Sequence, residues 1–239
     1  MSYEIDHQKL SEHIFSIIRK ISVPAGLYVF LAFIIMGFSY LMAFTSIFGS
    51  IEEIAELTKD EAAFTALITE NSIEMILLNA GISVFMHYLL SGIYGMIKKS
   101  EYSPIIGLST VFKELFSTKG LKVLNILIFV QIISGTISYF LNLEGFSLVA
   151  FAISILIQFL TYFAIPAIYV DNLGIRESIK FSVNTVNQKP SLMFLFMFMT
   201  YLVSMSGLLL LGIGIIFTLP INYIVAYALY LQVTQKATS

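Results

Sequence analysis

The sequence predicts an all-α integral membrane bundle of six transmembrane helices with three cytoplasmic amphipathic helices at the interface. Three observations carry this. The chain is 58% hydrophobic and only 12% charged over 239 residues, with a mean hydropathy of +0.89, and its charged fraction is about half that of a soluble domain. Its charge-free runs match the roughly 20 residues a helix needs to cross an apolar core of about 30 Å. Twelve of its 13 Lys and Arg residues fall in segments that an even number of crossings would place on one face. Lys and Arg of short loops stay inside, so both termini are expected to be cytoplasmic.

Taken in order, residues 8–21 place Leu10, Ile14, Ile17, Ile18 and Ile21 on one helical face, and Lys9, Glu12, His13, Arg19 and Lys20 on the remainder. Such a helix is expected to lie flat on the bilayer. Val23 to Phe48 is charge-free and about 39 Å long as a helix; Pro24 would sit in its first turn, where no internal hydrogen bond is lost. The charged residues before this run and the lack of a small-residue cleavage site lead us to expect a retained first span.

Glu52, Glu53, Glu56, Asp60, Glu61 and Glu70 then stand against a single cation, Lys59. The interleaved apolar residues predict a short helical excursion, solvated on the far side of the membrane. Met75 to Ile97 is the second span. Ser103 and Pro104 look like the start of a second surface helix with Ile105, Leu108, Phe112 and Leu115 on one face. Val123 to Leu143 is the third span and Gly145 to Val170 the fourth, with Pro166 set to kink its last turns.

The third surface helix carries Ile175, Ile179, Val183 and Val186 on one side and Arg176, Glu177, Lys180, Asn184 and Asn187 elsewhere. Pro190 to Gln235 holds no charge, and one helix of that length would exceed twice the apolar thickness. It must fold back, at Gly207, Gly212 or Gly214, into spans at 191–211 and 214–234. Three units follow, 8–97, 103–171 and 173–235, each a surface helix and a pair of crossings in a pseudo-threefold repeat. The 13 tyrosines stand in for the missing Trp at the interfaces.

A net charge of −2 argues against a nucleic-acid partner, which requires a large cationic excess. The chain has no cysteine, so disulfides, thiolate metal sites and cysteine nucleophiles are absent. His7 and His13 fall on different helical faces, unsuited to a shared metal. No catalytic, cofactor or metal site is expected. The polar residues inside the spans are the candidates instead, because such groups are costly in lipid. Asn79, Ser83, His87, Ser91 and Gly95 form an i, i+4 stripe on the second span. Gln131, Gly135, Ser138 and Asn142 answer it on the third, Ser154, Gln158 and Tyr162 on the fourth, Thr200 and Ser204 on the fifth and Asn222 on the sixth. Two readings stand side by side: a polar cavity lined by Asn79, Ser83, His87, Gln131, Gln158 and Asn222, or small and amide-bearing residues that only join helices. Met193, Met197, Met199 and Met205 with Phe194, Phe196 and Phe198 make the fifth span soft and aromatic, suited to lipid contact or packing.

Pro166, Asp171, Gly174, Glu177, Ser178 and Ser182, followed by LLLLGIGIIFTLPINYIVAYALY from Leu208 to Tyr230, resemble a broad set of prokaryotic six-span families. These include the YciC-like proteins and the membrane domain of some glycerophosphodiester phosphodiesterases. The resemblance covers about 160–233 and implies a six-span fold in a cytoplasmic membrane. It implies no phosphodiesterase activity, since no separate catalytic domain is present.

The resulting expectation is a noncatalytic multi-pass protein of a bacterial or archaeal inner membrane: a scaffold, accessory subunit or envelope-homeostasis factor. The alternative is a transporter of a small molecule or lipid through the polar cavity. Expected partners are the lipid bilayer, anionic lipid at the surface helices, and a membrane or cytoplasmic protein. The orientation is testable with phosphatase fusions. A fusion after the C-terminus should be inactive in an export assay and one near Asp60 active, and the reverse pattern would overturn the topology.

Overall fold

The structure is a computed structural model and describes residues 3–209 and 212–235; Lys236, one of the cations counted above, lies outside them, as do Leu210 and Leu211. Six helices or kinked helix pairs are long and apolar enough to cross a membrane, as befits a multi-pass membrane protein. The first is α1 (His7–Phe48). Two short helices, α2 (Ile51–Leu57) and α3 (Glu61–Glu70), hold the acidic segment. Ser50 and Glu53 form a reciprocal capping box at the start of α2, and backbone N–H bonding holds the Glu53 carboxyl below its ordinary value. The second crossing is α4 (Ser72–Ser91) with α5 (Ile93–Ser100), and α6 (Leu108–Leu115) leads to the third, α7 (Thr118–Leu143). The fourth is α8 (Ser147–Leu160) with α9 (Ala164–Asp171); α10 (Ile175–Gln188) then precedes α11 (Pro190–Ser206) and α12 (Ile215–Gln235).

Large apolar side chains such as Phe30, Phe38, Ile132, Phe151, Phe194 and Phe198 face outward from the bundle, a surface that only an apolar solvent tolerates over such an area. The interior is organised on α12, where Ile224 to Tyr230 are buried on every side, the signature of a central helix. Contacts collect the cation-rich segments at one end. There His13 Nε2 meets Glu101 (2.7 Å), Lys20 donates to the Ser100 carbonyl (2.8 Å), and the Asp6 N–H donates to Gln232 (3.0 Å).

The proposed surface helices differ from expectation. Residues 8–21 do not form a separate flat helix but the first turns of the 42-residue α1, about 63 Å long. Leu10, Ile17 and Ile21 bury their apolar face in the protein core instead of lipid, so nothing turns the chain at Lys20, and Pro24 lies in the helix interior rather than in a first turn. The second surface helix starts at Leu108, not at Pro104; Ser103 accepts from the Ile105 N–H across a local turn and Ile105 stays exposed. In α10 the fully buried face is Ser178, Ser182, Thr185 and Val186, while Ile175, Ile179 and Val183 are half-buried. Separate short helices stand only at the positions predicted for the second and third surface helices, α6 and α10, and the two differ in length, 8 against 14 residues.

Two glycines are required by close approach. A Cβ on Gly120 would stand 1.8 Å from the Leu115 carbonyl oxygen, where the end of α6 meets the first turn of α7, and one on Gly207 would meet Thr218 and the backbone at 214–215 within 2.4 Å. The hairpin between α11 and α12 thus closes on Gly207, with Gly212 at a φ of +78°.

The fourth crossing is interrupted at 161–163, where Pro166 cannot supply an N–H to the preceding turn. Ser182 of α10 repairs the gap. Its hydroxyl accepts from the Phe163 N–H (2.9 Å) and donates to the Leu160 carbonyl (2.7 Å). Small residues at 178 and 182 permit this approach. Ser182→Ala should cost about 2–4 kcal/mol, because two buried backbone groups lose their partner. Ser178→Ala, which removes only a bond to Ile175 within α10, should cost less than about 1 kcal/mol. Unfolding in detergent measures both, and equal losses would refute the repair.

Candidate functional site

The polar stripes meet in one cavity of about 230 Å³ between α4, α7, α8 and α12. Ser83, His87, Gln131, Gln158 and Asn222 all line it. The depth is common to all four helices. His87, Gln131, Gln158 and Asn222 each lie thirteen residues from the charged-end terminus of their crossing, at Ser100, Thr118, Asp171 and Gln235 respectively. That spacing is about 20 Å along a helix, close to the middle of the bundle. Asn79 is the exception. It sits two turns further out from His87 and does not line the cavity; like His87 and Gln158 it is exposed, whereas Gln131 and Asn222 are half-buried.

The wall is rich in hydrogen-bonding groups. No Lys, Arg, Asp or Glu lines it. His87 Nδ1 lies 2.7 Å from the Ser83 carbonyl; a carbonyl only accepts, so Nδ1 carries a proton. The side-chain amides of Gln131, Gln158 and Asn222 bond to none of the described residues. Each therefore offers a carbonyl oxygen and two N–H donors to whatever occupies the space.

Tyr162 adds a buried hydroxyl without a hydrogen-bond partner among the described residues. Thr200 lies beside it and donates its own proton to the Phe196 carbonyl (2.6 Å), which leaves its oxygen only as an acceptor towards Tyr162. Unmatched buried hydroxyls are costly, and this one stands on the cavity wall at the break in the fourth crossing.

Several of the remaining stripe residues pack helices, whereas Asn142 is exposed. Ser138 and Ser154 share a hydrogen bond across α7 and α8 (3.0 Å), although Ser154 also reaches the cavity. Ser91 donates to the Tyr88 carbonyl and meets the Tyr169 hydroxyl at 3.3 Å. Gly95 lies under Glu114, whose Cγ would be 2.6 Å from an added Cβ. In the fifth crossing Met193 is buried, Met197 touches the cavity, and Phe194 and Phe198 stack with each other outside.

Sequence reasoning missed the tyrosines of the wall, Tyr94, Tyr201 and Tyr223, and the hydroxyls of Ser134 and Thr161. Tyr94 stands seven residues after His87 on the same stripe, a spacing that would have found it. The other tyrosines were assigned to an interfacial belt. Most are instead internal, with Tyr28, Tyr88, Tyr169, Tyr227 and Tyr230 buried in the core; the hydroxyls of Tyr28, Tyr88, Tyr169 and Tyr230 find partners there. Among the described residues no three His, Asp or Glu side chains gather closely enough to hold a metal ion. Comparison with models of protein families, with curated proteins and with solved structures finds no match to this chain.

Proposed function

We propose that this multi-pass membrane protein binds a small, neutral, hydrogen-bonding solute at mid-depth and passes it across the bilayer. The observation that supports this reading is the convergence of three unbonded side-chain amides and the His87 imidazole on one cavity. Were these residues only joining helices, their amides would bond across the interface. A wall without Lys, Arg, Asp or Glu disfavours an ion, whose desolvation would go uncompensated. At about 230 Å³ the space falls below the 300–1,000 Å³ of sites for drug-sized ligands, which points to a solute of a few heavy atoms. The broken fourth crossing at the cavity supports movement as well as binding, since interrupted helices at the midplane recur where transporters hold their cargo.

The orientation that goes with this function has the cation-rich end in the cytoplasm of a prokaryotic cell, with the acidic α2 and α3 outside. The scaffold reading ranks second, because it leaves the converging amides without a role.

Glycerol and urea are suitable probes. Proteoliposomes containing the full chain should shrink and reswell faster than empty ones in stopped-flow light scattering after a step in either solute. Gln158→Leu and Asn222→Leu should each slow this by about two- to tenfold, the effect of one hydrogen bond, at unchanged protein content and monodispersity. Permeability equal to that of empty vesicles for both probes would overturn the transport reading and favour the scaffold.

A further inference from the structure

At the charged end of the bundle, three lysines from two crossings converge on the C-terminus of a third helix, α9. Lys98 of α5 and Lys119 of α7 both donate to the Tyr169 carbonyl, at 3.1 and 2.9 Å, so the two ammonium nitrogens are no more than about 6 Å apart. Lys122 donates to the Asn172 carbonyl and side-chain oxygen, both at 3.1 Å, and reaches the Leu173 carbonyl at 3.4 Å. Asn172 itself is left-handed, with a φ of 55°, and this turns its carbonyl and side chain to the same cation.

Capping accounts for only part of this charge. A helix C-terminus carries the equivalent of about half a negative charge, whereas three ammonium groups gather there. Among the described residues the ion pairs are Lys9 with Asp6, His13 with Glu101 and Lys59 with Glu56, and none includes these lysines. Asp171 is the adjoining carboxylate, and it accepts from the Tyr230 hydroxyl. Glu114 acts on Lys119 electrostatically but lies outside ion-pair distance. An ammonium has three donors, so Lys98 and Lys119 each keep two N–H groups after bonding the shared carbonyl.

We propose that Lys98, Lys119 and Lys122 form a binding site for a phosphate group, whose unesterified oxygens would accept those free N–H groups and balance the excess charge. Two sources supply this chemistry: the headgroup of an anionic phospholipid, or a soluble phosphate. Phe116 and Leu121, which bracket Lys119 in the chain, are exposed at 80% and 55% and offer an apolar surface for acyl chains. The site lies at the ends of crossings rather than on the amphipathic helices where anionic lipid was expected, and it is independent of the solute cavity.

The test is a titration of the full chain in neutral detergent, read by its thermal unfolding midpoint, with phosphatidylglycerol, phosphatidylcholine or inorganic phosphate. A saturable rise with phosphatidylglycerol and none with phosphatidylcholine is expected. If inorganic phosphate gives the same saturable rise, the occupant is a soluble phosphate; if it does not, the lipid is the source. Lys98→Gln and Lys119→Gln keep an N–H donor for the Tyr169 carbonyl but lose the charge, and each should raise the half-saturating concentration about fivefold. Lys113→Gln, at an exposed lysine of α6, should change it less than about twofold. Equal effects at Lys113 and Lys119, or no wild-type response to either phosphatidylglycerol or inorganic phosphate, would overturn the site.

Discussion

A backbone carbonyl without a hydrogen bond has no water to turn to inside a bilayer, and the way this chain answers that constraint shapes its whole bundle. At several kinks and helix ends a side chain from another element arrives. Tyr28 donates to the Leu89 carbonyl beside the kink at Gly92, Tyr88 to the Leu115 carbonyl at the end of α6, and Thr218 to the Ser204 carbonyl at the hairpin. Lys20 closes the end of α5 through Ser100, and Tyr3 reaches the Thr185 carbonyl from the N-terminal segment. These bonds join residues far apart in sequence, so satisfying the backbone also fixes which helices are neighbours.

The same rule explains the tyrosines. A phenol carries a large apolar ring into the core together with a donor that reaches a freed carbonyl, and neither Phe nor Ser combines the two. Tyr94, Tyr169 and Tyr223 extend the arrangement with ring contacts, at centroid separations of 5.6 and 5.5 Å from Tyr94. Around this framework α12 serves as the axis. Ala226 and Ala228 alternate there with Val225, Tyr227 and Leu229, all buried, and the small residues leave room for their large neighbours to interleave with adjacent helices.

Much of this was legible in the sequence, because charge-free length is a property of single segments. The runs from Val23 to Phe48 and from Pro190 to Gln235 fix the crossings without knowledge of their partners, and Gly207, Gly212 and Gly214 mark the turn, Gly212 by its positive φ and Gly207 by close approach. The i, i+4 stripes put Ser83, His87, Gln131, Gln158 and Asn222 in phase with one another, and the structure brings these five to one cavity, since periodicity within one helix is enough to set phase. The failures needed tertiary information. The apolar face of residues 8–21 fits a lipid surface or a protein core equally well, and only the presence of α12 decides between them. Asn79 shares the phase of His87, but the cavity does not extend to its height. Pro166 announces an interruption, yet its place at 161–163 depends on Ser182, which arrives from another helix.

The joint between Ser182 and the broken crossing has a mechanical consequence. The hydroxyl that closes the gap belongs to α10, whose Arg176, Lys180 and Asn184 are exposed. Two residues of that gap, Thr161 and Tyr162, are also part of the cavity wall. Two hydrogen bonds thus tether this outer helix to the very stretch of chain that supplies part of the chamber's lining, so the two share one anchor point.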